Sequence, residues 1–246
     1  MENKVVLITG ASRGIGKATA TLFAKKGYHT VINYNKSERE AVELFNNLKQ
    51  QGLSVRLFKA DVSKRNEVNA MINYCIGEFE RIDVLINNAG ISTDALFTDI
   101  TDEQWDQMMG INLNGVFYCT QKCLQYMISQ KSGKIINMSS IWGIVGGSCE
   151  VHYSTSKAAI IGMTKALAKE VGPSNIQVNC IAPGVIQTDM IGSVDNYTLD
   201  VLKEETPLMR LGTPDDIANV ALFLASESSD FITGQVISPN GGMVIY

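Results

Sequence analysis

Short, wholly apolar runs separated by longer amphipathic stretches restrict the fold of this chain more than any other feature. Val5-Val6-Leu7-Ile8 shows no apolar–polar alternation. A strand of that kind must be covered on both faces, as in a parallel sheet flanked by helices. Helical periodicity follows over 14–26, and Thr30-Val31-Ile32-Asn33 reads as the next strand. Ser37-Glu38-Arg39-Glu40 reads as a capping box that opens a helix to about residue 51. The alternation predicts further strands at 55–58, 84–87, 134–137, 176–179 and 235–237. Helices are expected over 65–79, over 101–129 with an interruption, over 153–171, and from Thr213 with Pro214 at the first position. Such alternation implies βαβ crossovers. The expected fold is therefore α/β, a doubly wound, mostly parallel sheet of about seven strands with helices on both faces. No Pro/Gly/Ser-rich linker divides residues 1–246, which read as a single domain. The stretch 184–212 shows no clear element and reads as a lid or binding loop.

Composition removes several functional classes. Hydrophobic residues make up 45% and charged residues 19%, which is ordinary globular usage rather than disorder. A net charge of −4 argues against nucleic-acid binding, which calls for a basic surplus. No apolar run reaches the ~18 residues of a membrane span. The first residues, MENKVVLITG, enter a strand-like run without a signal-peptide pattern, so a cytoplasmic protein is expected. The five cysteines are odd in number and scattered, so reduced thiols are the default. With two histidines and no CxxC or HExxH, a metal site has no support, and Cys119 and Cys123 are read as packing residues.

Thr9-Gly10-Ala11-Ser12-Arg13-Gly14-Ile15-Gly16 follows the first strand. Its G-x-x-x-G-x-G spacing differs from the G-x-G-x-x-G of other dinucleotide folds but shares their physics. Glycines permit a tight turn and close backbone approach to a pyrophosphate, and free N–H groups at a helix start attract it. Gly10, Ser12, Arg13, Gly14, Ile15 and Gly16 are therefore candidate cofactor contacts in a Rossmann-type domain. An acid about 20 positions further on would bind a ribose 2′-hydroxyl. Residues 33–37 are instead Asn-Tyr-Asn-Lys-Ser, and the first acid, Glu38, is explained by its place in a helical first turn. Arg13 and Lys36 without a carboxylate suit a 2′-phosphate, so NADP(H) is expected, with Asn33, Lys36 and Ser37 in the contact set. The plain alternative is that both cations are solvated surface charges.

Tyr153 and Lys157 are four apart on a predicted helix and share one face. A free tyrosine titrates near ~10, and an adjacent ammonium stabilises the phenolate and lowers that value. Ser140 lies thirteen positions earlier, at the end of a predicted strand, where a doubly wound sheet opens its ligand crevice. Asn112 interrupts an apolar helical run, and Asn87-Asn88-Ala89-Gly90 ends the fourth strand.

With these residues the chain resembles the short-chain dehydrogenase/reductase family along nearly its whole length. The matching features are the glycine loop, Asp61-Val62, Asn87 to Gly90, Asn112, Ser140, Tyr153 with Lys157, and Pro183-Gly184 with Thr188. The resemblance implies a catalytic set of Asn112, Ser140, Tyr153 and Lys157. Tyr153 would protonate a carbonyl oxygen and Ser140 would orient it. Lys157 would lower the tyrosine pKa and hold the nicotinamide ribose, and Asn112 would anchor a water leading to solvent. It also implies cofactor contacts from Asp61, Val62, Asn88, Ala89, Gly90, Pro183, Gly184, Ile186 and Thr188, and a homotetramer.

Within the family the chain is most similar to 3-oxoacyl-acyl-carrier-protein reductases, which implies a carrier-linked ketone substrate and acyl-carrier protein as a partner. Two features depart from that subgroup. Lys131 matches one of its two basic carrier-facing positions, but Ser174 occupies the other. Ile141-Trp142-Gly143 and Ser148-Cys149-Glu150-Val151 resemble a subgroup assigned to a 5-aminopentanone group on the modified lysine of elongation factor P. Trp142 and Cys149 are expected in or under the substrate pocket, His29 at the surface, and His152 receives no role. A non-catalytic nucleotide sensor is the rival class, and the presence of all four catalytic-type residues weighs against it.

Overall fold

The computed structural model describes residues 4–188 and 195–245. Strands β1 (Val5–Ile8), β2 (His29–Tyr34), β3 (Val55–Lys59), β4 (Val84–Asn87), β5 (Gly133–Met138), β6 (Ile176–Ile181) and β7 (Val236–Ile237) form one sheet. Its order is β3-β2-β1-β4-β5-β6-β7 and every pair is parallel. The helices are α1 (Gly14–Lys25), α2 (Glu38–Gln50), α3 (Arg65–Phe79), α4 (Asp102–Met109), α5 (Gly115–Gln130), α6 (Trp142–Val145), α7 (Val151–Val171), α8 (Asn196–Glu204) and α9 (Pro214–Ala225).

The unalternated strand β1 explains the layering. Val6 and Ile8 pack into one apolar cluster with Phe23 of α1 and Leu224 of α9. Leu7 faces the opposite cluster, with Met71 of α3 and Cys119, Cys123 and Met127 of α5. Successive strand residues point to opposite faces, so each face of β1 is covered by its own helix layer. The strand order reverses between β1 and β4, and the carboxyl ends of these strands frame the crevice where such sheets bind ligands.

Helix starts follow their capping chemistry. Thr101 Oγ1 accepts from Gln104 N at 3.2 Å while Thr101 N donates to Gln104 Oε1 at 2.9 Å. Thr213 and Asp216 make the same reciprocal pair, with Pro214 in the first turn. The capping box expected at Ser37 does not form. Glu38 N turns back to Lys36 O at 3.0 Å, and Glu40 is drawn to Arg39 at 3.1 Å. Ser37, at the centre of that turn, has φ −85° and ψ +63° rather than the extended backbone of a capping residue.

The interruption expected in 101–129 is a π turn, Gly110–Asn114, between α4 and α5. The stretch 184–212 is less bare than its composition implies. Asp195 caps α8, its Oδ1 accepting from Thr198 N at 3.0 Å, and Ile186 bridges to Gly212. Residues 189–194 of the expected substrate loop lie outside the described residues. His29 is not a plain surface residue: its Nδ1 is 2.6 Å from Ser54 Oγ and its ring stacks on Phe79.

Candidate active site

The glycine turn closes over the end of β1. Gly10 and Gly14 have φ of +60° and +52°, a region that side chains with a Cβ avoid. A Cβ on Gly16 would stand 2.6 Å from Asn88 Nδ2 and closer still to Gly10 O. Helix α1 starts at Arg13 with no side-chain cap and no acid in its first turn. Its first N–H groups therefore remain available at the positive end of the helix. A side-chain-free turn beneath such a helix start fits a pyrophosphate.

Neighbours brace this turn from below. Asn88 Nδ2 donates to Thr9 O and Gly10 O at 2.9 Å each, and Thr9 Oγ1 accepts from Asn88 N and Ala89 N at 3.0 Å. Asn33 is 1% exposed. Its Oδ1 accepts from Gly10 N at 3.2 Å and its Nδ2 donates to Ala60 O at 3.1 Å. The structure thus places the Asn33 side chain under the loop as a backbone strut. Ser12 is buried as well.

Arg13 and Lys36 are exposed, and neither forms a salt bridge among the described residues. Ser37 stands beside them at the start of α2. Glu38, the acid nearest the end of β2, is held by Lys59 at 2.9 Å. Asp61 Oδ1 accepts from Ser63 N at 3.0 Å and from Ser63 Oγ at 2.7 Å. Val62 packs against Gly115, where a Cβ would meet it at 2.8 Å.

The second half of the site joins β5, α7 and the π turn. Tyr153 faces Ser140, two residues past the end of β5, closely enough for the serine to lower its phenol's pKa. Lys157 Nζ sits 5.6 Å from the Tyr153 ring centroid and donates to Met138 O at 2.9 Å. A Cβ on Gly90 would stand 3.3 Å from both Lys157 Nζ and Asn112 Oδ1, so this glycine lets the chain pass against the ammonium. Asn112 is fully buried in the π turn. Its Oδ1 accepts from Ile91 N and its Nδ2 donates to Ile91 O, both at 2.9 Å, and to Ser156 Oγ at 3.1 Å.

Burial dominates the electrostatics here. It pushes the Tyr153 phenol up to about 12, against a lowering effect of Ser140 and with a further rise from Glu150. It pushes Lys157 down to about 8. The expected lowering of the tyrosine by the lysine is therefore not what the structure shows. The ammonium lies under the ring, and desolvation disfavours the charged form of both groups.

The end of β6 completes the crevice. Pro183 O accepts from Ile141 N at 3.0 Å, and Gly184 packs so tightly on Asn240 that a Cβ would come within 2.7 Å of its Cα. Ile186 is buried, and Thr188 faces Gly14, whose Cβ would be 3.4 Å from Thr188 Cγ2. A cavity of about 180 Å³ lies behind this strand end, between Val185, Leu208, Arg210 and Asn240. A larger one of about 450 Å³ opens at Ile176, the first residue of β6, at the opposite end of the sheet from these groups.

Several supporting residues escaped sequence reasoning. Ser139 Oγ donates to Lys157 O at 2.8 Å, and Gly143 lets α6 press onto the same turn of α7. Adjacent serines at a strand end carry no pattern that separates their roles. Glu150 lies within reach of Ser92 and Asp94 and is pushed up to about 7 by burial first, then by Asp94. Trp142 opens α6 and packs against Gly147, whereas Cys149 is exposed with φ of +61° rather than part of the core. Cys119 and Cys123 are buried between α3 and α5, and burial raises both thiols, Cys119 to about 12.

The family model described as enoyl-(acyl carrier protein) reductase matches residues 10–244. With the sheet order and the Ser140, Tyr153 and Lys157 geometry already described, this chain belongs to the short-chain dehydrogenase/reductase family. It is an oxidoreductase of the ketone and alcohol level, and the family implies a nicotinamide cofactor. Its relatives include 3-oxoacyl-[acyl-carrier-protein] reductase FabG of Staphylococcus epidermidis, 42% identical over 98% of this chain and 99% of that protein. The proteins of the same name from Thermotoga maritima and Chlamydia trachomatis are each 43% identical. They cover 100% and 98% of this chain, and 99% and 97% of their own lengths. Among the described residues no helix is long and apolar enough to cross a membrane.

Proposed function

We propose that this enzyme is an NADP(H)-dependent reductase of 3-oxoacyl thioesters carried on acyl-carrier protein. The identity of 41–43% along whole chains to reductases of that name carries the reading. The site supports a carbonyl rather than a carbon–carbon double bond. Tyr153 and Ser140 offer two O–H groups at one point, which suits an oxygen that gains negative charge. A nicotinamide cofactor held by its pyrophosphate at the glycine turn would supply the hydride. Tyr153, held protonated by burial, donates its proton to the carbonyl oxygen, and Ser140 orients that oxygen. Lys157 and Asn112 hold the surrounding wall. Arg13 and Lys36 form no salt bridge among the described residues and would be free to meet a ribose 2′-phosphate, and Glu38 is already engaged by Lys59, which favours NADP(H) over NAD. A homotetramer in the cytoplasm accompanies this reading.

A second reading is the ketone on the modified lysine of elongation factor P. Lys131 ends α5 beside the turn that holds Ser174, so the carrier-facing pair of cations is reduced to one. Purified enzyme with NADPH should oxidise it rapidly with an acetoacetyl thioester on carrier protein. Faster turnover of the ketone-bearing factor by a wide margin would transfer the assignment to the second reading. Absence of NADPH oxidation with both would refute the reductase.

A further inference from the structure

His152 is completely buried, directly precedes Tyr153 in α7, and takes no part in the chemistry above. Its Nε2 lies 2.9 Å from Thr93 Oγ1, and its Nδ1 is buried without a partner among the described residues. Orphaned buried N–H groups are rarer than under-used acceptors. Of the two tautomers this selects the one with its hydrogen on Nε2, which donates to Thr93 Oγ1.

Thr93 belongs to the segment that follows β4. At Gly90 that segment passes against Lys157 Nζ, and Ile91 is held by Asn112. At its far end Ala95 N donates to Cys149 O at 2.8 Å, just before α7. Residues 90–95 therefore run from the ammonium to the start of the helix that carries Tyr153. Thr93 and Asp94 are exposed, so little apolar burial holds the middle of this wall. Directed bonds decide its position, and the one from His152 comes from a ring that α7 itself fixes. We infer that His152 is a positioning residue for the reduction, fastening Thr93 so that residues 90–95 stay aligned with Tyr153 and Lys157. The inference rests on the reductase reading for its kinetic consequence, not for its structural one.

The test uses Thr93→Val, His152→Leu, the double variant and His152→Gln, whose amide nitrogen reaches the place of Nε2. Thr93 is exposed, so its valine variant keeps the fold even if the buried change does not. With NADPH and a 3-oxoacyl thioester, each single variant should lose about tenfold in kcat, with KM for NADPH little changed. The double variant should lose no more than the worse single one, and His152→Gln should recover most of the loss. Hydrogen exchange gives a readout that needs no substrate. The Ile91 and Ala95 amides should exchange faster in Thr93→Val, while amides within β1 do not change. Unchanged exchange at both amides overturns the inference whether or not the wild type reduces thioesters. Faster exchange with wild-type kcat in an active enzyme overturns it as well, as do losses that multiply in the double variant. A wild type that fails to oxidise NADPH refutes the reductase reading alone, and the exchange result still decides the clasp.

Discussion

Replacing Lys157 with methionine should abolish turnover without the loss of stability that a buried, hydrogen-bonded residue normally implies. The lysine is 5% exposed and its ammonium donates to Met138 O. Burial lowers its pKa from 10.5 to about 8. At about 1.36 kcal/mol per pKa unit, holding the charge at pH 7 costs the fold about 3 kcal/mol. Methionine has a similar length and no charge, so that cost disappears. Met138 O loses its donor, which returns about 1–3 kcal/mol of it. The variant should therefore match the wild type at pH 7 or exceed it by up to about 2 kcal/mol. The pH dependence is the sharper test. The folded chain binds this proton more weakly than the unfolded chain does. Wild-type stability from this group is thus complete above 10.5 and is lost as pH falls through about 8. Urea unfolding of both proteins in steps from pH 7 to 10 should show the variant's relative advantage disappearing as pH rises. A difference that stays constant across this range would refute the reasoning, because it would mean the ammonium is not desolvated.

Three further outcomes follow from the same geometry. Asn33→Asp should not exchange NADPH for NADH. It should destabilise the protein by about 3 kcal/mol, because a carboxylate would face Ala60 O where an N–H now donates, and equal loss of efficiency with both cofactors would check this. A clean switch of cofactor preference at wild-type stability would contradict the strut. Tyr153→Phe should reduce turnover about 10²-fold or more while NADPH fluorescence titration gives a nearly unchanged Kd, and retained activity would remove Tyr153 as the acid. Glu150 has its pKa raised to about 7, so it favours the fold below 4.5 and that contribution is lost as pH rises through about 7. Glu150→Gln should flatten this slope, by on the order of 1 kcal/mol after solvent screening of the half-exposed group, and an unchanged slope in chemical denaturation would refute the shift.

The sheet was legible because its strands are apolar on both sides and alternate with helical stretches, as parallel sheets covered by helices on both faces require. Val84 to Asn87 and Arg65 to Phe79 fall where periodicity places them. Capping at Thr101 and Thr213 could be read because both caps are local. Ser37 offered the same local pattern, but a turn closed by Glu38 N and Lys36 O outcompeted it. Helix α8 was hidden because it is only nine residues long and is bracketed by the turn-forming Asp195-Asn196 and Pro207. In the site, Ser140, Tyr153 and Lys157 were legible as a constellation, whereas the state of their protons was not. Burial is a sum over distant segments, and it reverses the direction expected from the tyrosine–lysine spacing. Asn33 shows the same limit, since its position near the end of β2 does not reveal that its amide turns inward to Gly10 and Ala60.

The π turn at Gly110–Asn114 has a consequence for how this crevice can be altered. A π turn contains one residue more than the regular spiral around it. Asn112 reaches Ile91 from that surplus, so its inward presentation belongs to the count of residues as much as to its amide. Shortening the turn by a single position would let α4 run directly into α5 with their outer faces still in phase. The result would be an intact sheet-and-helix body with the Ile91 anchor withdrawn, whereas a substitution at Asn112 removes the amide and leaves the extra residue in place.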